Sequence, residues 1–171
     1  MAKSHNKSKR KCDSSRSRSR RRSRSRSRDR KNGDTTKLTF VVTLSGAQEV
    51  PPVETEGRGT LKLEFARDFS EVKYWLTIRH LEDVTQAHLH QGGAGVNGGV
   101  IATLLDNGGT PDGPVVEFEN PVKGTLRNED LDAGFAANIA QLYEQVLDRQ
   151  VYVNVHTVEH PTGAIRGQVF A

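Results

Sequence analysis

Cysteine is nearly absent from this chain: Cys12 stands alone. One thiol cannot close a disulfide within the chain, and the residues after it offer no thiolate ligand or nucleophile. Any metal site there must be built from nitrogen and oxygen donors. Long apolar runs are missing as well. No stretch approaches the ~20 apolar residues that a membrane-spanning helix requires. The basic start of the chain is not followed by the apolar stretch, about 7–15 residues long, of a secretory leader. These absences predict no membrane contact and a protein that is intracellular or incorporated into a coat or shell. Hydrolase signatures are lacking too. Ser45 has no G-x-S-x-G turn around it, and the glycine-rich stretch Gln91 to Gly99 lacks the GK[ST] ending of a phosphate loop. No two acidic residues fall in a pattern that suggests the paired carboxylates of a glycosidase.

What is present divides the chain in two. Residues 1–32 carry fifteen Lys or Arg against Asp13 and Asp29, a formal charge of +13. Residues 33–171 carry ten Lys or Arg against nineteen Asp or Glu, a charge of −9, so the overall +4 describes neither part. Residues 14–28 are Ser and Arg only. With no apolar side chain to offset the entropy of ordering the backbone, residues 1–34 are expected to form a disordered tail ahead of one domain, 35–171. Arginine forks grip phosphate bidentately, so the tail should bind polyanions: nucleic acid, or phosphorylated or acidic protein. No aromatics interleave the arginines, so sequence-specific reading of bases is not expected. The serines are candidate phosphoacceptors, and self-association through the acidic domain of a neighbouring copy is a further expectation. The tract resembles the arginine–serine tracts of splicing factors and, more distantly, the phosphorylated repeats of some bacterial spore-coat proteins. The plainer alternative is a solubilising or targeting arm.

After the tail, apolar and polar residues alternate with period two. Leu61, Leu63 and Phe65 alternate with Lys62 and Glu64, and Tyr74, Leu76 and Ile78 alternate with Lys73, Trp75, Thr77 and Arg79. That is the pattern of strands with one buried face. Strands are predicted at 37–45, 58–67, 70–80, 84–91, 98–105, 114–119, 121–127, 150–157 and 163–170, separated by Gly, Pro, Asn and Asp turns. Pro51 and Pro52 cannot donate to a ladder and should stop the first strand's pairing. One window departs from the period. Phe135, Ile139, Leu142, Val146 and Leu147 recur at spacings of three and four, predicting a helix within 134–148. A short helical turn is expected at 128–131. Many short strands and one helix argue for an all-β antiparallel sandwich with a helical insertion.

Four of the six histidines fall in or beside two of these strands. His88 and His90 are two apart and project side by side from one strand face. His156 lies in a second strand, and His160 follows its end before Pro161. Leu89, Val153 and Val155 face the other way. Two imidazoles at i and i+2, with one or two from a distant strand, form a nitrogen-rich set suited to Cu(II) or Zn(II), with the Irving–Williams order favouring copper. The competing reading is that these rings hydrogen-bond backbone and neighbouring strands and fix the fold. The glycines of 91–99 would let backbone pass close to that face. Glu49 could accept hydrogen bonds from the Gly57–Gly59 turn or approach the histidines. Arg166 needs an acceptor, with Glu49, Asp106 or a bound anion as candidates. His80 reads as a satisfied strand-end residue and His5 as a solvated tail residue.

Three motifs in order carry a family resemblance. Leu44 to Pro52 (LSGAQEVPP), Ala87 to Gly92 (AHLHQG), and Tyr152 to Thr157 (YVNVHT) followed by His160 to Gln168 (HPTGAIRGQ) resemble elements of the chordin-type (CHRD) domain. The resemblance covers about residues 38–170 and implies a β-sandwich module with little defined chemistry. The family usually carries an acidic residue before the Ile-Arg-Gly-Gln run, where this chain has Ala164. The HxH strand also resembles the copper-ligand strand of copper/zinc superoxide dismutases, which are Greek-key sandwiches. The loop 91–99 supplies neither the bridging histidine nor the aspartate of their zinc subsite. The leading expectation is a non-enzymatic binding or structural module, tethered by its tail in a polyanionic or phosphoregulated coat- or shell-like assembly. The alternative is a copper-dependent redox enzyme of the dismutase type.

Overall fold

A computed structural model describes residues 38–107 and 121–170. The tail and the strand expected at 114–119 lie outside the described residues. Eight antiparallel strands form one sheet: β1 Thr39–Ser45, β2 Arg58–Phe65, β3 Val72–Arg79, β4 Val84–Gln91, β5 Val100–Asp106, β6 Val122–Leu126, β7 Val151–Thr157 and β8 Ile165–Val169. The sheet order is β5-β4-β7-β8-β1-β2-β3-β6. Its order jumps from β4 to β7, from β8 to β1 and from β3 to β6, which is Greek-key-like winding.

The sheet bends where it is thinnest. Strands β1 and β8 share a single register pair, Ser45 opposite Arg166. There the sheet folds into two four-stranded layers, β5-β4-β7-β8 and β1-β2-β3-β6, face to face. Gly167 permits the close approach, since a Cβ there would lie 2.6 Å from the Thr43 carbonyl oxygen. On the opposite side Tyr74 of β3 donates from its hydroxyl to the Leu104 carbonyl of β5, 2.8 Å away. A Cβ at Gly124 would sit 2.6 Å from that hydroxyl, so the glycine of β6 leaves room for the tyrosine to reach across the seam.

The period-two residues form the core between the layers. Phe40, Leu61, Leu63, Leu76 and Ile78 from one layer meet Leu89, Val153, Val155 and Ile165 from the other, all fully buried. Each such side chain contributes about 1.5–3 kcal/mol of transfer free energy. One helix, α1 Ile139–Leu147, covers one end with Ile139, Leu142, Tyr143 and Val146 buried. Tyr143 packs edge-on to Phe40 and Phe65, with ring centroids 6.1 and 5.2 Å away.

The helix is shorter than its periodicity predicts. Asn138 caps it, its side chain accepting from the Gln141 backbone N–H, so the helix starts at Ile139 and not at Gly134. Phe135 still points inward, but from a turn, against Gly99. The helix ends at Leu147, and Arg149, just past its Asp148 cap, takes a left-handed φ of 59°. The short turn expected at 128–131 is a 3₁₀ turn, Asn128–Asp130. Among the described residues no helix is long and apolar enough to cross a membrane.

Candidate metal centre

Strand β7 is buried at every position, not at alternate ones. Its inward residues belong to the core. Its outward residues Tyr152, Asn154 and His156 lie under covering loops, beside His88 and His90 of β4 and Arg166 and Gln168 of β8. The register sets the neighbours: His90 opposes Tyr152, His88 opposes Asn154, and Asn154 opposes Arg166 on its other side.

The glycine-rich loop after β4 covers this polar layer. Arg166 is 1% exposed and donates to the carbonyls of Gly93 and Val96 and to the Asn97 side chain, at 2.9–3.0 Å. Asn97 in turn donates to the Val50 carbonyl at 2.7 Å, tying the loop to the segment after β1. Tyr152 lies between His90, stacked at 4.9 Å, and the Arg166 guanidinium, 3.5 Å from its ring centroid. Backbone must come this close for the layer to be sealed, and a Cβ at Gly98 would collide with the Gln91 carbonyl at 1.7 Å. Gln168 closes the far side by donating to the Gly92 and Arg149 carbonyls, both at 3.0 Å.

His88, His90 and His156 converge inside this layer, with one nitrogen from each within 4.8 Å of the others. They are 9, 7 and 8% exposed. The rings are oriented by carbonyls. His90 donates from Nδ1 to the Gly98 carbonyl at 3.0 Å, and His156 from Nδ1 to the Pro161 carbonyl at 2.9 Å. A carbonyl only accepts, so both rings carry their proton on Nδ1 and present a lone pair at Nε2. His156 Nε2 lies 3.0 Å from His88 Nδ1. His90 Nε2 is buried and has no hydrogen-bond partner. Outer carbonyls that fix the tautomer of inward-facing imidazoles are the usual support of a histidine metal site. For Zn–N bonds of 2.0–2.1 Å, tetrahedral ligand nitrogens stand roughly 3.3 Å apart. The His88–His156 separation of 3.0 Å is already close to that spacing.

Electrostatics keep the rings neutral. Burial pushes His88 down to about 4, helped by the neighbouring His156 and His90 rings. Burial also lowers His90 and His156, opposed in each by the carbonyl at Nδ1. Neutral imidazoles are the metal-binding form.

The other predicted residues fall elsewhere. His160 is outside the group: its ring is 30% exposed, with Nε2 4.0 Å from Glu159. It shares an acidic cleft of about 430 Å³ with His80. His80 follows the end of β3 with a left-handed φ of 51° and is exposed. Glu49 does not serve the Gly57–Gly59 turn. It is 6% exposed against Gly163 and Asn154, and burial raises its carboxyl to about 7 despite the Arg166 charge and hydrogen bonds from the Val50 backbone and the Asn154 side chain. Arg166 draws on Glu49 electrostatically, but its hydrogen bonds go to the loop carbonyls and Asn97. Ala164 is fully buried in the core. Sequence reasoning missed Tyr152, Asn154, Asn97 and Gln168. The signal was available: every outward position of β7 and β8 is polar yet none is Lys or Glu, which solvent-facing strands favour.

The covered layer is assembled from the motif segments 44–52, 87–92, 152–157 and 160–168, with the loop 93–99 over it. A family model, the CHRD domain, matches residues 40–169. The chain belongs to the CHRD-domain family. Neither a curated protein nor a solved structure matches it. This CHRD domain thus places polar residues of its motifs, among them His88, His90, Asn154, His156 and Arg166, on a sealed face outside the hydrophobic core.

Proposed function

We propose that this CHRD domain is a non-enzymatic module that holds one divalent ion, Cu(II) or Zn(II), on His88, His90 and His156, and that the Arg/Ser-rich tail tethers it to polyanionic or phosphoregulated partners in a coat- or shell-like assembly. The observation that carries the metal reading is the convergence of three neutral imidazoles, two of them oriented by carbonyls and one with an unpartnered buried nitrogen. The burial of all three rings favours retention of an ion over turnover of a substrate. The tail reading rests on its charge of +13 against −9 for the rest of the chain.

Calorimetric titration with Cu(II) and Zn(II) tests the metal reading. One ion per chain is expected for the wild type, with the affinity lost in a His88→Ala/His90→Ala double variant. Equal binding by both proteins would remove the claim. A dismutation assay on the loaded protein separates the redox alternative, which requires activity above that of free copper. For the tail, affinity for a single-stranded nucleic acid should fall by orders of magnitude between about 50 and 200 mM salt. A chain starting at Gly33 should lose that binding.

A further inference from the structure

The layer around the histidines contains a fourth group that no metal-ligand motif would flag. Asn154 is 3% exposed and directly opposes His88 in the β4–β7 register, two residues before His156 on the same face. Its Oδ1 is buried and accepts no hydrogen bond. The direction of its amide is fixed by what surrounds Nδ2. That nitrogen faces the Thr162 carbonyl at 3.4 Å, and it hydrogen-bonds toward the Glu49 carboxylate. Around Gly163, a Cβ would meet Asn154 Nδ2 at 2.5 Å and Glu49 Oε1 at 2.6 Å, which places these two atoms on the same side. The Thr162 carbonyl only accepts and the Glu49 carboxyl keeps an acceptor oxygen whether or not it is protonated, so the donor end of the amide belongs there and the carbonyl end turns the other way, toward His90.

Two buried lone pairs then confront each other: Asn154 Oδ1 and His90 Nε2, whose own proton is committed at Nδ1 to the Gly98 carbonyl. Two acceptors with no donor between them are costly in an interior. A cation resolves both at once. We propose that the carboxamide oxygen of Asn154 is the fourth ligand of the three-histidine centre, completing a neutral N₃O set, and that Glu49 orients it by holding Nδ2. This rests on the metal reading above. An N₃O set of protein atoms fills a tetrahedral zinc or the four short positions of Cu(II), and so leaves water no tightly held place on the ion.

The test is Cu(II) binding by the full chain, read by affinity and by the relaxation of water protons, which reports water bound directly to the ion. The His88→Ala/His90→Ala double variant gives the background. The wild type should show low relaxivity. Asn154→Ala should bind about 10- to 100-fold more weakly and with raised relaxivity, because water takes the freed position. Asn154→Asp keeps an oxygen in place and should restore tight binding with low relaxivity, which a merely structural asparagine would not do. Unchanged affinity and relaxivity in Asn154→Ala, with wild type above background, would overturn this assignment and leave the metal reading standing. No binding above background in the wild type would overturn both.

Discussion

The two layers of this sandwich present outward faces of the same backbone geometry and opposite fates. On β1, β2, β3 and β6 the outward residues include Val41, Lys62, Lys73, Trp75 and Arg79, and they meet solvent. Val41 is 64% exposed, and Lys62 lies over the half-buried Trp75 ring at 4.5 Å. On β4, β7 and β8 the outward residues include His88, His90, Asn154, His156 and Arg166, these five no more than 9% exposed. One face is polar because water covers it. The other is polar and dry, so each group there needs a specific partner. The difference lies in the connections: the segments 92–99 and 158–163 fold back over one face, and no described segment covers the other in this way.

The largest expected break in that contrast comes from Arg166. Arg166→Met removes the donor of two loop carbonyls and of the Asn97 side chain. A loss of about 3–5 kcal/mol in urea unfolding is expected from these buried acceptors left unpaired. Lys73→Met on the wet face, at a side chain 53% exposed, should change stability by no more than about 0.5 kcal/mol. Similar costs for both would mean the second face is not sealed.

The loop that does the sealing gives the next contrast. Gly98→Ala brings a Cβ onto the Gln91 carbonyl, and its backbone also holds His90 and Tyr152. It should cost about 2–4 kcal/mol and weaken metal binding. Gly95→Ala has open space at its Cβ and only a left-handed φ of 77° to satisfy, a cost of about 1 kcal/mol with metal affinity intact. Circular dichroism melts and calorimetry on the two variants check this.

This contrast also marks how far the sequence could be read. The strands were legible because residues such as Leu61, Leu63 and Phe65 repeat every second position. The histidine trio was legible because His88 and His90 share a parity. Burial of the outward face was not legible, since alternation records which residues face the core and is silent on what loops do afterwards. Asn154 was missed for that reason: an asparagine on a strand looks like a solvent-facing residue until its covering loop is known. The helix start was misplaced because Phe135 keeps helical spacing with Ile139 while sitting in a turn ahead of the Asn138 cap.

Metal adds a smaller, tunable increment to the dry face alone. At a free Zn(II) concentration 100 times its Kd, unfolding free energy should rise by about 2.7 kcal/mol, with no rise in His156→Ala. The pH sign follows from the lowered histidines. Their folded values lie below the unfolded value of 6.5, with His88 at about 4. Their contribution to stability is therefore complete above pH 6.5 and is lost as pH falls toward about 4. The zinc increment should persist from pH 7.5 to 6 and disappear as pH falls through about 4, where the folded His88 protonates. Loss of the increment by pH 6 would indicate ordinary, solvated imidazoles.

The smallest effect has the opposite sign and isolates Glu49. Its folded value, about 7, lies above the unfolded 4.5, so its contribution is present below pH 4.5 and is lost as pH rises through about 7. Glu49→Gln keeps the shape and an acceptor for Asn154 but cannot ionise. Between pH 6 and pH 8 the wild type should lose about 1 kcal/mol relative to Glu49→Gln, while the histidine contribution, common to both proteins, cancels in the comparison. Urea unfolding at the two pH values measures the difference. A parallel pair of pH profiles would show that the carboxylate stays ionised beside Arg166, making the layer an ion-paired one in place of the neutral one described above.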